Sequence, residues 1–251
     1  MNKTISEKLN SSKKILVTGG AGFIGGALIR KLLRNTKAYI FNIDKMTYAS
    51  DLTSINKTLK ELGDEAIKRY SFHKIDLYDE RSTKEIVSQI SPDIIMHLAA
   101  ESHVDRSIKG PKIFLESNVL GTFNLLSAAF DYYSSLNVQK KKNFIFHHIS
   151  TDEVYGSLGP DGLFNECTPY DPRSPYSSSK ASSDFLVKAW FHTYGLPSVI
   201  TNCSNNYGPW QFPEKLIPVV VKNALSGGKI PVYGNGSNIR DWLFVDDHVE
   251  A

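Results

Sequence analysis

The chain has 251 residues, 41% of them hydrophobic and 22% charged, with a formal net charge of +3 at pH 7. At roughly 150 residues per domain this is one large domain or a domain and a half, and the ordinary composition excludes disorder, collagen and coiled coil. The 29 basic and 26 acidic residues are interspersed, which argues against a nucleic-acid partner. No apolar run approaches the ~18 residues of a membrane span. The opening stretch MNKTISEKLNSSKK is polar and lacks the apolar core of a secretory leader, so residues 1–13 are expected to be a polar extension. Two cysteines, Cys167 and Cys203, make no disulfide framework and point to a reducing compartment, the cytoplasm.

From residue 14 onward strand-like and helix-like segments alternate. Ile15, Leu16 and Val17 form a short apolar run before a glycine cluster, and a helical pattern follows through Ile24, Leu28, Leu32 and Leu33. Tyr39 to Ile43 reads as a second strand ending at Asp44, and Tyr70 to Ile75 as a third ending at Asp76. Asp79 is placed to cap a helix carrying Ile86, Val87 and Ile90. Ile94 to Leu98 is the next strand, and a helix follows Pro111 with Phe114, Asn118, Gly121, Leu125 and Ala129. Phe144 to Ile149 reads as a strand, Tyr176 to Tyr194 as a long helix and Pro197 to Thr201 as a further strand. This alternation predicts an α/β fold, a Rossmann-type doubly wound parallel sheet with helices on both faces. The expected NAD-binding domain covers 14–204, with a return segment at 240–251. Residues 205–239, rich in Asn, Gly and Pro, break the alternation and are expected to form part of a smaller substrate lobe, with a helix from Glu214 to Leu225. Asp241 to Val245 is expected to return to the sheet, with Asp246 capping a last helix.

Three groups of residues carry chemistry. The first is Thr18-Gly19-Gly20-Ala21-Gly22-Phe23-Ile24-Gly25, between a strand and a helix, the context in which glycines let backbone approach a pyrophosphate at a helix start. Asp44 ends the next strand, 19 residues beyond Gly25. A carboxylate there accepts from ribose hydroxyls and repels a 2′-phosphate, which favours NAD over NADP. Asp76 is placed to meet an adenine edge. The second group is Tyr176 and Lys180, four apart on one helix face. An ammonium beside the phenol is expected to lower its pKa toward working pH. Thr151, Asp152 and Glu153 form the third, just beyond a strand, where open α/β sheets bind ligands.

Together these motifs resemble the short-chain dehydrogenase/reductase superfamily, in its extended branch that acts on nucleotide sugars. The strings LAAESHVDRSI, HHISTDEVYG, SPYSSSKASSD, TNCSNNYGP and FPEKLIP are similar to the dTDP-glucose 4,6-dehydratase family. The resemblance runs from about Lys14 to the last residue. Gly26, where a serine is frequent, and Leu77, where isoleucine is usual, are small departures. The family implies an NAD-dependent hydro-lyase that makes the 4-keto-6-deoxy sugar nucleotide from dTDP-glucose. Tyr176 is then the base at the sugar 4-hydroxyl with Lys180 and Thr151 beside it, Glu153 the base at C5 and Asp152 the acid at C6. By the same resemblance Gly19, Gly22, Phe23, Ile24, Gly25, Asp44, Lys45, Thr47, Asp76, Leu77, Ala99, Ser117, Tyr176, Lys180 and Asn206 hold NAD. Ser102, Thr151, Asn205, Lys215, Leu216, Pro231, Tyr233 and Arg240 hold the sugar nucleotide, with Arg240 suited to a diphosphate. The family also implies a homodimer packed through the helices that begin near Pro111 and Ser174.

Two other readings compete. A nucleotide-sugar 4-epimerase of the same superfamily would share the fold but generally lack the consecutive Thr-Asp-Glu. A chain ending at Ala251 without a closing element suggests a C-terminal truncation, hence an NAD-binding fragment without activity. His97, His103, His147 and His148 match no zinc spacing, so no metal is expected. Lys140, Lys141 and Lys142 read as a solvated turn.

Overall fold

A computed structural model describes residues 13–159, 161–232 and 234–251; the expected polar extension, apart from Lys13, lies outside them. The chain opens with β1 (Lys14–Thr18), α1 (Phe23–Asn35) and β2 (Tyr39–Asp44), followed by α2 (Thr53–Leu62), α3 (Asp64–Ile67) and β3 (Tyr70–Lys74). Next come α4 (Glu80–Ile90), β4 (Ile94–His97), α5 (Val104–Lys109), the long α6 (Lys112–Ser135) and α7 (Val138–Lys141). β5 (Ile145–Thr151), α8 (Pro175–Tyr194) and β6 (Ser198–Cys203) complete the alternation. The strands pair in the order β3-β2-β1-β4-β5-β6, all parallel. This is the expected doubly wound sheet. Strand order reverses between β1 and β4, and the ligand crevice of such sheets lies there.

Local chemistry explains the element ends. Oδ1 of Asp79 accepts from the Ser82 N–H at 3.1 Å and starts α4. Ser174 and Ser177 cap α8 reciprocally, Pro175 occupies its first turn, and Gly195 ends it in the left-handed conformation. Two cores result, one on each face of the sheet. Leu28, Ile29, Leu33, Ile55 and Leu59 pack α1 and α2 on one face. Val87, Ile90, Leu125, Leu126 and Val187 pack α4, α6 and α8 on the other. By length and composition α6 is apolar enough to cross a bilayer, but half of its most apolar stretch is buried inside the protein.

Beyond β6 the chain departs from the expectation. Trp242 to Phe244 forms β8, which pairs with β7 (Asn205–Tyr207) in a separate two-stranded sheet. It does not rejoin the main sheet, because its backbone partner is β7 and β6 remains the edge strand. The helix expected from Glu214 begins two residues later, as α9 (Leu216–Leu225). The last helix, α10 (Val245–Glu250), starts after Phe244 with no side-chain cap. Asp246 lies inside its first turn, where a carboxylate meets the positive end of the helix dipole, and it also acts on Arg30 of α1. Lys31 and Glu250 pair across the same junction.

Candidate active site

A cavity of about 510 Å³ opens at the carboxyl ends of β1, β4, β5 and β6. The glycine turn leaves β1 here. Gly19 has φ +71°, and a Cβ on it would lie 2.7 Å from the Ala99 backbone. A Cβ on Gly25 would lie 2.2 Å from the Gly19 carbonyl oxygen. Only glycine permits this closeness of turn, helix and neighbouring strand. Gly22, Phe23 and Ile24 complete the lip of the cavity.

Asp44 closes the turn from β2. Its Oδ2 accepts from the Ala21 N–H at 3.1 Å, and its Oδ1 from the Met46 N–H at 2.8 Å and the Ser50 hydroxyl at 3.1 Å. Asp44 thus ties the glycine turn to β2, a task that its spacing in the sequence does not reveal. Its Oδ2 retains a free lone pair for a ligand hydroxyl. Lys45 donates to Ser117 Oγ at 2.6 Å and pairs with Glu101 at 3.2 Å. Thr47, Asp76, Leu77 and Ala99 line the same half of the cavity. Asn206 lines it from β7, its Oδ1 2.8 Å from His248 Nδ1. A tight glycine turn at a helix start, a buried carboxylate ending the next strand and adjacent polar loops fit a dinucleotide.

The other half holds the expected catalytic residues. β5 ends at Thr151, whose hydroxyl donates to Asp152 Oδ1 at 3.2 Å and accepts from the Glu153 N–H at 3.2 Å. These bonds turn the chain sharply and leave both carboxyls facing the cavity. Burial raises the pKa of Asp152, and the nearby Asp241 adds to it. Burial and Asp152 raise Glu153, against the opposing pull of Arg240 and Lys215. Tyr176 and Lys180 project from α8 into the same space. The expected fall in the Tyr176 pKa is not found: burial first, then Glu153, push the phenol up. The reason is geometric. Lys180 directs its Nζ at the Ile149 carbonyl, 2.9 Å away, rather than at the phenol, and burial lowers its own pKa.

The expected sugar-nucleotide residues divide. Ser102, Asn205, Lys215, Leu216 and Arg240 line the cavity. Lys215 donates to the Ser102 carbonyl at 3.2 Å and so joins the segment before α9 to the loop after β4. Pro231 is exposed and lies outside the lining. Tyr233 lies outside the described residues. Sequence reasoning assigned nothing to Tyr48, Glu101 or Asn118, yet each shapes the site. Asn118 sits in the π-helical turn Leu115–Leu120 of α6, the kind of widened turn that marks functional positions. Its amide accepts from the Glu101 N–H at 2.8 Å and donates to the Glu101 carbonyl at 3.0 Å. Glu101 stands inside the string LAAESHVDRSI, so the signal was present without a role attached.

A family model described as GDP-mannose 4,6 dehydratase matches residues 16–251. The chain belongs to the GDP-mannose 4,6 dehydratase family. A dTDP-glucose 4,6-dehydratase from Neisseria meningitidis serogroup B is 56% identical over 240 residues, covering 95% of this chain and 66% of that protein. One from Shigella flexneri is 57% identical over 247 residues, covering 95% and 67%. The chain therefore spans about two thirds of the length of these curated relatives. Among solved structures, a Streptomyces venezuelae dTDP-glucose 4,6-dehydratase with NAD bound superposes with TM-score 0.84 at 42% identity, covering 94% of this chain and 70% of that one. A UDP-glucose 4-epimerase from Thermotoga maritima superposes with TM-score 0.79 at 27% identity, covering 94% and 71%. Fold alone therefore does not separate dehydratase from epimerase chemistry.

Proposed function

We propose that this chain is an NAD-dependent nucleotide-sugar 4,6-dehydratase, a hydro-lyase converting dTDP-glucose to the 4-keto-6-deoxy sugar nucleotide and water. One observation carries the reading: Thr151, Asp152, Glu153 and Tyr176 share a cavity with the glycine turn and Asp44. The glycine turn, Asp44, Lys45 and Ser117 would hold NAD. When bound, NAD supplies reversible two-electron oxidation of the sugar.

The chain's own residues handle the protons. Tyr176 takes the proton of the 4-hydroxyl once its own phenol is ionised, which requires Lys180 to turn from the Ile149 carbonyl to the phenol, with Thr151 hydrogen-bonded to the same sugar oxygen. A ketone at C4 acidifies the C5 proton, because the resulting carbanion is an enolate. Glu153 removes that proton, and protonated Asp152 gives one to the departing C6 hydroxyl. Two adjacent carboxyls with opposite tasks need separated pKa values. Burial raises both; Arg240 and Lys215 oppose the rise at Glu153, and the Thr151 hydrogen bond opposes it at Asp152 while Asp241 adds to it. Lys215 and Arg240 also suit the anionic diphosphate. In this reading 14–204 with 240–251 act as the NAD-binding domain and 205–239 as part of the substrate lobe.

The test is incubation with dTDP-glucose and NAD. The alkali-induced absorbance of a 4-keto sugar is the expected result, and dTDP-galactose in its place would establish epimerase chemistry instead. A homodimer is part of the proposal. Ile113, Leu115, Leu120 and Phe123 of α6 and Phe185 and Phe191 of α8 are exposed, an apolar surface that a second copy would cover. Light scattering showing a monomer would remove it. The two free thiols, Cys167 and Cys203, suit the cytoplasm.

A further inference from the structure

Lys180 is 4% exposed, and among the described residues its Nζ makes one hydrogen bond, to a neutral carbonyl. An ammonium withdrawn from water with so little compensation gives up its proton easily. Asp184 stands one turn further along α8, on the same helix face, and is 0% exposed. Three side chains converge on its carboxylate. The Ser150 hydroxyl of β5 donates to Oδ2 at 2.8 Å, and the Tyr170 hydroxyl donates to it at 3.0 Å. Oδ1 lies 3.1 Å from Nε2 of His148 and accepts no hydrogen bond among the described residues.

We infer that Asp184 is the buried counter-charge that keeps Lys180 an ammonium, and so acts as a positioning residue for the Tyr176–Lys180 pair. The inference rests on the proposed reading of Lys180 as a site residue. The neighbours leave this role to Asp184. His148 is pushed down to about 4, by burial first and Lys180 next, so it is neutral at pH 7. His97, on β4, is held well below its ordinary value by burial first and His148 next. Cys203, on β6, is pushed up to about 11 by burial and Asp152 and stays a thiol. Tyr155 and Tyr170 are raised as well, by burial first and then Asp184. Burial alone would raise Asp184, but His148, Lys180 and Ser150 outweigh it and its pKa is lowered. Among the described residues of this cluster Asp184 is the acid whose pKa is lowered, which leaves it as the anion for Lys180. Asp152 and Glu153 lie in the turn beyond β5 rather than on α8, and burial raises both.

The test reads charge directly. In chain labelled with [ε-¹³C]lysine, the Lys180 signal is identified by its loss in Lys180→Arg and followed with pH. Asp184→Asn is expected to lower its titration midpoint by at least about one pH unit, a roughly tenfold loss of proton affinity. With NAD and dTDP-glucose the same variant should lose about tenfold or more in kcat at pH 7 with KM little changed, and the basic limb of its pH profile should move toward acid. An unchanged Lys180 midpoint overturns the proposal. The NMR arm does not depend on which reaction the chain performs, so failure here is distinct from failure of the dehydratase reading. Should Asp184→Asn not fold, [γ-¹³C]aspartate spectra of the unaltered chain decide, with the Asp184 signal assigned by its shift in Tyr170→Phe. An ionised Asp184 at pH 7 supports the inference, and a protonated one overturns it.

Discussion

The Tyr48 hydroxyl donates to Oε1 of Glu214 at 2.8 Å, joining positions 166 residues apart. Tyr48 lies in the loop after β2, and Glu214 lies just before α9. The Arg106 guanidinium stacks 3.6 Å from the Tyr48 ring centre and pairs with Glu214 at 3.5 Å, while Phe212 meets the ring edge-on. Burial and the Glu214 bond push the Tyr48 phenol up to about 12, so it remains a donor at every working pH. The cluster straps the segment before α9 onto the loop that the dinucleotide would touch. Removing only the hydroxyl, in Tyr48→Phe, costs about 1 kcal/mol, or about fivefold in dinucleotide affinity by calorimetry. Tyr48→Ala, which also loses the cation–π contact, should cost more. Proteolysis between residues 208 and 216 should quicken in the same order. Unaltered affinity in both variants would show that the strap does not hold the ligand.

Two glycines of the same helix should respond oppositely to alanine. A Cβ on Gly25 collides with backbone, at 2.2 Å from the Gly19 oxygen and 2.8 Å from the Gly20 Cα. Backbone cannot step aside as a side-chain tip can, so Gly25→Ala should destabilise by about 1–3 kcal/mol or more and abolish dinucleotide binding. A Cβ on Gly26 meets nothing closer than 3.5 Å. Gly26→Ala gains helix propensity and should stabilise by roughly 0.5–1 kcal/mol. Thermal melts of the pair, with and without NAD, check both signs.

The sheet was legible because its strands are short, continuous apolar runs bounded by polar turns, as buried parallel strands are. The site was legible where chemistry is local in the chain: the glycine turn, Thr151-Asp152-Glu153, and Tyr176 with Lys180. Contacts between distant segments were not. Nothing in the spacing of Tyr48, Arg106 and Glu214 reports that they meet. α2 was missed for another reason. Ten residues with Ile55 and Leu59 as the buried apolar positions make a marginal helix alone. It stands because it packs on α1, where Arg30 donates to Ser54 at 2.9 Å. The apolar run of β8 announced a strand but not its partner, and the partner, Asn205–Tyr207, is too polar to be read as one.

The raised carboxyls have a consequence for stability. Asp152 holds its proton more tightly folded than unfolded, because burial raises its pKa from the ordinary 3.8. Its stabilising contribution is complete below that value and is lost as pH rises through the folded pKa. This side chain therefore contributes less stability at pH 7 than at pH 4. Asparagine carries no charge at any pH. Asp152→Asn should melt above the unaltered chain at pH 7, with the gap closing toward pH 4. Dehydration should meanwhile fall by about 10²-fold or more, the scale of a lost general acid. A lower melting temperature at pH 7 would contradict the assigned direction.

Asn118 and Ser117 separate a structural loss from a contact loss. Asn118 is 1% exposed, and besides its two bonds to the Glu101 backbone it donates to Ser179 Oγ at 2.9 Å. It therefore fixes the loop after β4 to both α6 and α8. Asn118→Ala strands two backbone groups of Glu101 where water is scarce, at about 1–3 kcal/mol for each one left unsatisfied. The melting temperature should fall by several degrees, at about 2–4 °C per kcal/mol for a domain of this size. Glu101 should also drift from Lys45, weakening dinucleotide binding. Ser117→Ala removes one partner of Lys45 and leaves the clamp on Glu101 intact. Its melting temperature should hold while affinity drops by about two- to fivefold. If both variants lower affinity equally and neither changes the melt, Asn118 acts through Lys45 alone, and the clamp on Glu101 carries no stability.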